Sequence, residues 1–393
     1  MVKSLKILYH HRVAAQDGQS VHIKELTSSF KELGHELIFV GPSLRPKTFG
    51  QQNQLLRLVR WLLPQFMQEL LELLYSARAY RKLHKAYKTH KPDVLYERYN
   101  LFLTAGARLK ARTGIPYLLE VNAPLVEERA KHSGLKLQSY AKKLEVTTWQ
   151  AADMTLPVSA VLSEKLQRAG VKKENITVVH NGINHRDYAA VDKELIRKKY
   201  GLENRIVLGF TGFLREWHQL DHVISVIANF PEDTSPHLLV VGDGPAIETC
   251  KQLAQNLGIA NRIHFAGFVS RTDIPKHLAA MDVALQPAVT DYASPLKIFE
   301  YMKSSLAIIA PDQPNIREIL THREDALLFD PQDFAAAEDE ILQLIADTNL
   351  RQRLGKAAFE KITTENYTWR SNAERIVNIA QTTITEREKH PPP

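Results

Sequence analysis

The chain of 393 residues holds one cysteine, Cys250. Neither a disulfide framework nor a cysteine-rich metal site can be built from it, which favours a reducing, cytoplasmic setting. No Asp-x-Asp occurs, and no histidines or carboxylates cluster at ligand spacing, so no metal is expected. No Ser-His-Asp or Cys-His arrangement stands out, which fits chemistry without a covalent enzyme intermediate. Apolar runs long enough to span a bilayer are missing. The opening MVKSLKILYHHRVAA is broken by charge and histidine, unlike a signal peptide. There is no repeat of solenoid period and no low-complexity segment.

What is present is ordinary globular material, 44% hydrophobic and 24% charged, in a length that predicts two domains. The formal net charge of +7 suits partners that carry phosphate. Its distribution is uneven: ten Lys and Arg stand between Arg45 and Lys91 against only Glu69 and Glu72, which accounts for the whole excess. A nucleic-acid binder would spread its basic residues over a larger face with aromatic platforms, and no such pattern is seen. In the same segment, Leu55, Leu56, Leu58, Val59, Trp61, Leu62, Leu63, Phe66 and Met67 make an apolar run with Arg57 and Arg60 inside it. Pro64 divides it into two expected helices. Arg78, Arg81, Lys82, Lys85 and Lys88 then recur near helical spacing. One reading is core packing with a solvated basic face. The other is attachment of 45–91 to an anionic membrane surface.

Short β-branched runs alternate with helical patterns, the mark of parallel α/β architecture. Strands are expected at Leu5 to Tyr9, Glu36 to Val40, Val94 to Glu97, Tyr117 to Val121 and Met154 to Val158, with a helix from about Ser20 to Leu33. A second series follows at Ile206 to Phe210, His237 to Val241, Arg262 to Phe265, Val283 to Gln286 and Ala307 to Ile309. The turn-prone Asn181-Gly182 marks the junction. The expected division is 1–181 and 182–365, followed by 366–393 as a helix returning to the first domain and a disordered tail. Two open α/β domains predict a ligand cleft at the carboxyl ends of their strands.

The most informative stretch is Asp291-Tyr-Ala-Ser-Pro-Leu-Lys-Ile-Phe-Glu300-Tyr-Met. Ser294 reads as an N-cap and Pro295 as the first helical residue. The amides opening that helix, Leu296 among them, suit a phosphate, with Lys297 adding a point charge. Glu300 suits a ribose diol. The bland reading is a capped helix with Lys297 and Glu300 on its solvated face. Gly-x-Gly at 242–244 lacks the third glycine of a dinucleotide fingerprint, so Gly242 and Gly244 are expected to let backbone approach a ligand.

The stretch resembles the donor-binding motif of retaining family-4 glycosyltransferases (glycosyl transferases group 1), in the branch reading Ser-Pro-x-Lys-x-x-Glu-Tyr-Met. Further matches follow in register: Asp17-Gly-Gln-Ser-Val-His-Ile-Lys-Glu-Leu26 with Gly34-His35-Glu36, Val158-Ser159 with Val179-His-Asn-Gly-Ile183, Val241-Gly-Asp-Gly-Pro245, and Phe265-Ala-Gly-Phe-Val269. They run from about Leu5 to Trp369. The resemblance implies a GT-B fold, two Rossmann-like doubly wound domains facing each other across a cleft. It also implies transfer from a nucleoside-diphosphate sugar, UDP by preference, to a hydroxyl acceptor with retention.

Three departures qualify the match. After Gly212, the family places an arginine and, five residues later, a lysine on the donor diphosphate. Here those places are Phe213 and His218, so Arg215 is the candidate cation, unless it pairs with Glu216. His218 is a candidate neutral donor to phosphate. The family's first motif glutamate falls on Tyr292, which leaves the sugar open. Its His-Asp pair falls in Tyr117-Leu-Leu-Glu120-Val-Asn122-Ala-Pro124, where Asn122 or Glu120 either orients the sugar or belongs to a plain turn. Gly18 lets the first loop approach the diphosphate, and the base is expected near Gly267-Phe268-Val269, on Val269. The acceptor is expected to be a glycan or lipid-linked sugar of cell-surface polysaccharide or glycolipid synthesis. The competing readings are a catalytically weak nucleotide-sugar-binding or scaffold subunit and a GT-B-like epimerase.

Overall fold

The structure, a computed structural model, describes residues 4–14, 18–42, 63–184, 188, 192–232 and 235–389. The chain divides into two compact units, Met1–His180 with Arg370–Pro393, and Asn181–Trp369. Each contains one wholly parallel sheet.

In the first unit the strands are β1 (Lys6–His10), β2 (Glu36–Val40), β3 (Val94–Arg98), β4 (Tyr117–Val121) and β5 (Met154–Pro157), ordered β2-β1-β3-β4-β5. β3 and β4 are buried at every position, as strands covered by helices on both faces must be. β2 is an edge strand and only Val40 is buried. The helix Gly18–Glu32 starts two residues earlier than expected and ends at a left-handed Gly34, φ 85°. Pro64 precedes the helix Gln65–His90. The apolar residues Leu55 to Leu62, with Arg45, Arg57 and Arg60, lie outside the described residues, as does Asp17.

The second unit carries β6 (Val207–Thr211), β7 (His237–Val241), β8 (Ile263–Gly267), β9 (Val283–Leu285), β10 (Ala307–Pro311) and β11 (Leu327–Phe329), ordered β11-β10-β9-β6-β7-β8. Side chains alternate between two cores: Leu238 and Val240 pack on one face of β7, Leu239 and Val241 on the other. β11 was not expected from the sequence; three residues are too short for periodicity to show, and pairing of Ile309–Pro311 with Leu327–Phe329 makes the strand. The C-terminal helix Trp369–Lys389 is anchored in the first unit, where Asn372 Nδ2 donates to His180 O at 2.8 Å and Arg387 pairs with Asp153 at 2.7 Å. The expected tail beyond 389 lies outside the described residues.

Both sheets have a point where the strand order reverses. In the first it falls between β1 and β3, in the second between β6 and β9. Ligands of open α/β sheets bind outside the carboxyl ends at such points.

Candidate functional site

In the second unit, the segments leaving β6 and β9 flank the reversal. The β9 segment runs through Asp291–Pro295 into the helix Leu296–Lys303. Asn315 holds this loop, its Nδ2 donating to Thr290 O at 3.1 Å and Ala293 O at 2.8 Å. Tyr301 ties the helix back to β6: its hydroxyl accepts from Thr211 N at 3.0 Å and donates to Leu285 O at 3.3 Å. The apolar spacing of Ile298, Phe299, Tyr301 and Met302 buries that face.

Ser294 is not the N-cap. Pro295 takes that place without a side-chain cap, and helical geometry starts at Leu296, one residue later than expected. The hydroxyl of Ser294 is engaged elsewhere, accepting from Asn181 N at 3.1 Å, while Ser294 O accepts from Asn181 Nδ2 at 2.6 Å. The amides of Leu296 and Lys297 therefore open the helix, and proline supplies no competing acceptor.

Lys297 points from this first turn toward β6. Its Nζ lies 3.7 Å from the centroid of the Phe210 ring, and a Cβ added to Gly212 would stand 3.4 Å from it. The Nζ is buried and has no hydrogen-bond partner among the described residues. Burial pulls its pKa down to about 7, with Glu300 acting weakly the other way. Glu300 itself is buried and not on a solvated face; Arg271, from the segment after β8, binds its Oε1.

The loop after β6 carries the remaining cations. Gly212 adopts φ 120°, and its N–H donates to Val241 O at 2.9 Å. Arg215 forms no ion pair with Glu216. Its guanidinium instead lies 5.0 Å from the Phe213 ring centroid and 4.8 Å from that of Trp217. The backbone N–H of Arg215 donates to His218 Nδ1 at 3.1 Å, which leaves the ring proton on Nε2. Burial, followed by the charges of Lys297 and Arg215, lowers the pKa of His218 to about 3, so the ring is a neutral donor.

Gly242 and Gly244 pack closely on the loop after β6. A Cβ on Gly242 would meet Gly212 O at 2.0 Å, and one on Gly244 would meet Leu214 O at 2.0 Å. Both sit at positive φ, 138° and 153°, so the glycines let the β7 loop pack on the β6 loop. Gly242 N also donates to Gly267 O at 2.9 Å, which brings in the turn Gly267-Phe268-Val269. Val269 is partly buried against the core there, and Phe268 is exposed.

In the first unit the strand ends hold a buried polar cluster. Glu120 accepts from Tyr96 at 2.7 Å and from Asn122 Nδ2 at 2.5 Å, lies 3.0 Å from His22 Nε2 and pairs with Arg98. Burial opposes its ionisation, yet His22 and Arg98 outweigh burial and hold the carboxyl well below its usual range. Asn122 is thus fixed by Glu120 at the end of β4. Alongside, Glu97 binds His10 Nδ1 at 2.5 Å and Tyr117 OH at 2.6 Å. Gly18 is exposed at the first residue of its helix. Among the described residues no three His, Cys, Asp or Glu gather as metal ligands, and no helix is long and apolar enough to cross a membrane.

Sequence reasoning named Lys297, Arg215, His218 and Gly212, which the fold brings together. It missed Arg271, Phe210, Asn181 and the two rings about Arg215. The unusual Phe-x-Arg-x-Trp spacing after a strand was the one available signal for the rings.

Two family models match the chain. Glycosyltransferase Family 4 covers residues 16–187 and glycosyl transferases group 1 covers 192–361. Among curated relatives, N-acetyl-alpha-D-glucosaminyl L-malate synthase of Bacillus anthracis is 26% identical over 215 residues, 54% of this chain and 55% of that protein. An uncharacterised glycosyltransferase of Methanocaldococcus jannaschii is 24% identical over 61% of this chain and 62% of its own length. The chain thus spans less than two thirds of either. 2-Deoxystreptamine glucosyltransferase of Streptomyces kanamyceticus is 24% identical over 68% of this chain and 74% of its own. Among solved structures, HepE of Anabaena in complex with UDP has 18% identity and a TM-score of 0.74, covering 96% of this chain and 100% of that one. Sucrose-phosphate synthase of Thermosynechococcus elongatus has 16% identity and a TM-score of 0.79, covering 97% and 100%. Two parallel-sheet Rossmann-like units make this fold the GT-B type.

Proposed function

We propose that the chain is a retaining, metal-independent glycosyltransferase that moves a hexosyl group from a UDP-sugar to a hydroxyl of a glycan or lipid-linked acceptor. The observation that carries this reading is the Nζ of Lys297, buried over the Phe210 ring with no hydrogen-bond partner among the described residues, beside the amides that open a helix. An anion at that place satisfies all of these groups.

In this reading Lys297, the Nε2–H of His218 and the guanidinium of Arg215 receive the diphosphate, with Gly212, Ser294 and Leu296 shaping the backbone around it. Glu300, aligned by Arg271, accepts from the ribose. The base lies at Val269. The bond from the anomeric carbon to phosphate oxygen breaks as the acceptor oxygen attacks the same face, and the acceptor proton passes to the departing phosphate. The charge that develops on that phosphate is what the cations stabilise. HepE binding UDP supports this choice of base.

The acceptor reading rests on the helix Gln65–His90. Phe66, Met67, Leu70, Leu71 and Leu74 are 39–61% exposed on its first turns. Arg78, Arg81, Lys82, Lys85 and Lys88 follow, all exposed. Met67, Leu71, Leu74, Arg78, Arg81, Lys85 and Lys88 step by three and four, so one stripe is apolar at one end and cationic at the other. We assign this stripe to the anionic inner face of a membrane, where lipid-linked acceptors are carried.

The test is thermal unfolding with a panel of nucleoside-diphosphate sugars, followed by turnover with the donor that stabilises. A donor at a hundred times its dissociation constant adds about 2.7 kcal/mol. A panel in which no nucleotide shifts the transition overturns the reading.

A further inference from the structure

The loop after β6 places two large rings on the surface, Phe213 at 49% and Trp217 at 38% exposure. Arg215 stands between them in sequence, and its guanidinium lies within 5.0 Å of both ring centroids. It has no carboxylate partner among the described residues. The backbone beneath it is fixed twice over: Arg215 N donates to His218 Nδ1 at 3.1 Å, and His218 N donates to Arg215 O at 3.0 Å. Leu214 is fully buried, with its N–H on Asp243 O at 2.8 Å.

A guanidinium is weakly hydrated over its faces and carries its five donors in the plane. A ring lying over a guanidinium face would occupy the part that does not hydrogen-bond and leave the N–H edge available. An exposed arginine otherwise spreads over many rotamers, and ordering it costs part of any affinity it supplies. Stacking removes that cost before a ligand arrives.

We propose that Phe213 and Trp217 are positioning residues that clamp Arg215 so that its N–H edge meets the diphosphate of the donor. The proposal rests on the donor reading above. It also gives a physical account of a loop in which aromatic residues stand on either side of a single strong cation.

The test is calorimetric titration of the full chain with UDP and with uridine. Trp217→Leu and Phe213→Leu keep apolar bulk but lose the ring face. Each is expected to weaken UDP about fivefold, while leaving uridine unchanged. Trp217→Phe and Phe213→Tyr, which keep a ring, are expected to retain wild-type affinity. In an Arg215→Ala background the leucine changes are expected to cost nothing further. UDP binding by both leucine variants as tight as wild type overturns the clamp. So does a fivefold loss that persists without Arg215, because the rings then touch the nucleotide themselves. A wild-type chain that binds none of UDP, GDP and ADP overturns the donor reading, and the clamp with it. Thermal unfolding of each variant checks folding; if one leucine variant fails to fold, the other, compared with its ring-keeping partner, decides.

Discussion

Lys297→Met removes a charge from the second unit and keeps the length of the side chain. The ammonium ionises at 10.5 in an unfolded chain and at about 7 in the fold, because burial opposes its charge. Between those values the unfolded chain holds a proton that the folded chain has released. Stability therefore falls as pH drops from 10.5, and the cost is complete below 7. Each pH unit is worth 1.36 kcal/mol, so the cost levels off at roughly 5 kcal/mol below pH 7, is roughly 4 kcal/mol at pH 7 and roughly 2 kcal/mol at pH 9. Lys297→Met is expected to be more stable than wild type by these amounts, with the gain vanishing near pH 10.5. Urea denaturation of the second unit at pH 7, 8, 9 and 10 reads it directly. A gain that does not depend on pH, or a loss of stability at pH 7, refutes the account of Lys297.

The same residue predicts how donor binding responds to pH. A diphosphate beside Nζ favours the ammonium, so binding takes up a proton when the free site is neutral. The terminal phosphate of UDP, with a pKa of about 6, is already ionised above pH 7. Between pH 7 and 9 the affinity of wild type for UDP should fall with rising pH, by up to about tenfold per unit. Lys297→Met should bind weakly with no such slope. A flat wild-type profile over that range sinks the coupling.

Three further outcomes follow from other contacts. Glu300→Gln removes the carboxylate that Arg271 binds and weakens the proposed ribose contact, so UDP affinity should drop by about 1.5–3 kcal/mol in calorimetry; unchanged affinity removes Glu300 from the ribose. Gly244→Ala places a Cβ 2.0 Å from Leu214 O at φ 153°, and urea denaturation should show a loss of about 3 kcal/mol or more; a neutral substitution refutes the packing of the β7 loop on the β6 loop. Changing Arg81, Lys82, Lys85 and Lys88 to Gln should abolish co-sedimentation with anionic vesicles at low salt, since each cation contributes about 1 kcal/mol; equal pelleting of both proteins returns the stripe to ordinary surface.

The strands were largely legible because each is a short β-branched or aromatic run between turn residues, a local signal. β11 was not, since its three residues take their conformation from β10. The helix opening the site was legible to within one residue. Its error has a tertiary cause: Ser294 would cap the helix by local propensity, but Asn181, 113 positions away, holds it. Arg271 escaped notice for the same reason, its carboxylate partner lying 29 positions on. Gly242 and Gly244 were legible as positions needing freedom, but not as to what approaches them. A glycine signals only that something comes close, and here it is the carbonyl of another loop.

In the donor reading proposed above, the second unit would meet a double negative charge with few cations, each placed by a different means. Lys297 is buried over Phe210, so its charge is weakly held in the free protein and strengthens when an anion arrives. His218 is kept neutral and contributes a donor of fixed direction, its Nδ1 being occupied by the Arg215 amide. Arg215 is exposed, lies against two rings and has no carboxylate partner among the described residues. A carboxylate partner for either cation would have satisfied it at the expense of phosphate. The acidic residue nearest to hand, Glu300, is instead committed to Arg271. We expect this pairing to limit how far Glu300 competes with an anion for Lys297, and Arg271→Ala tests this step. With Arg271 gone, Glu300 should turn to Lys297 and raise its pKa, so the fall in UDP affinity should move above pH 7. A slope that stays where it lies in wild type shows that the carboxylate never competed.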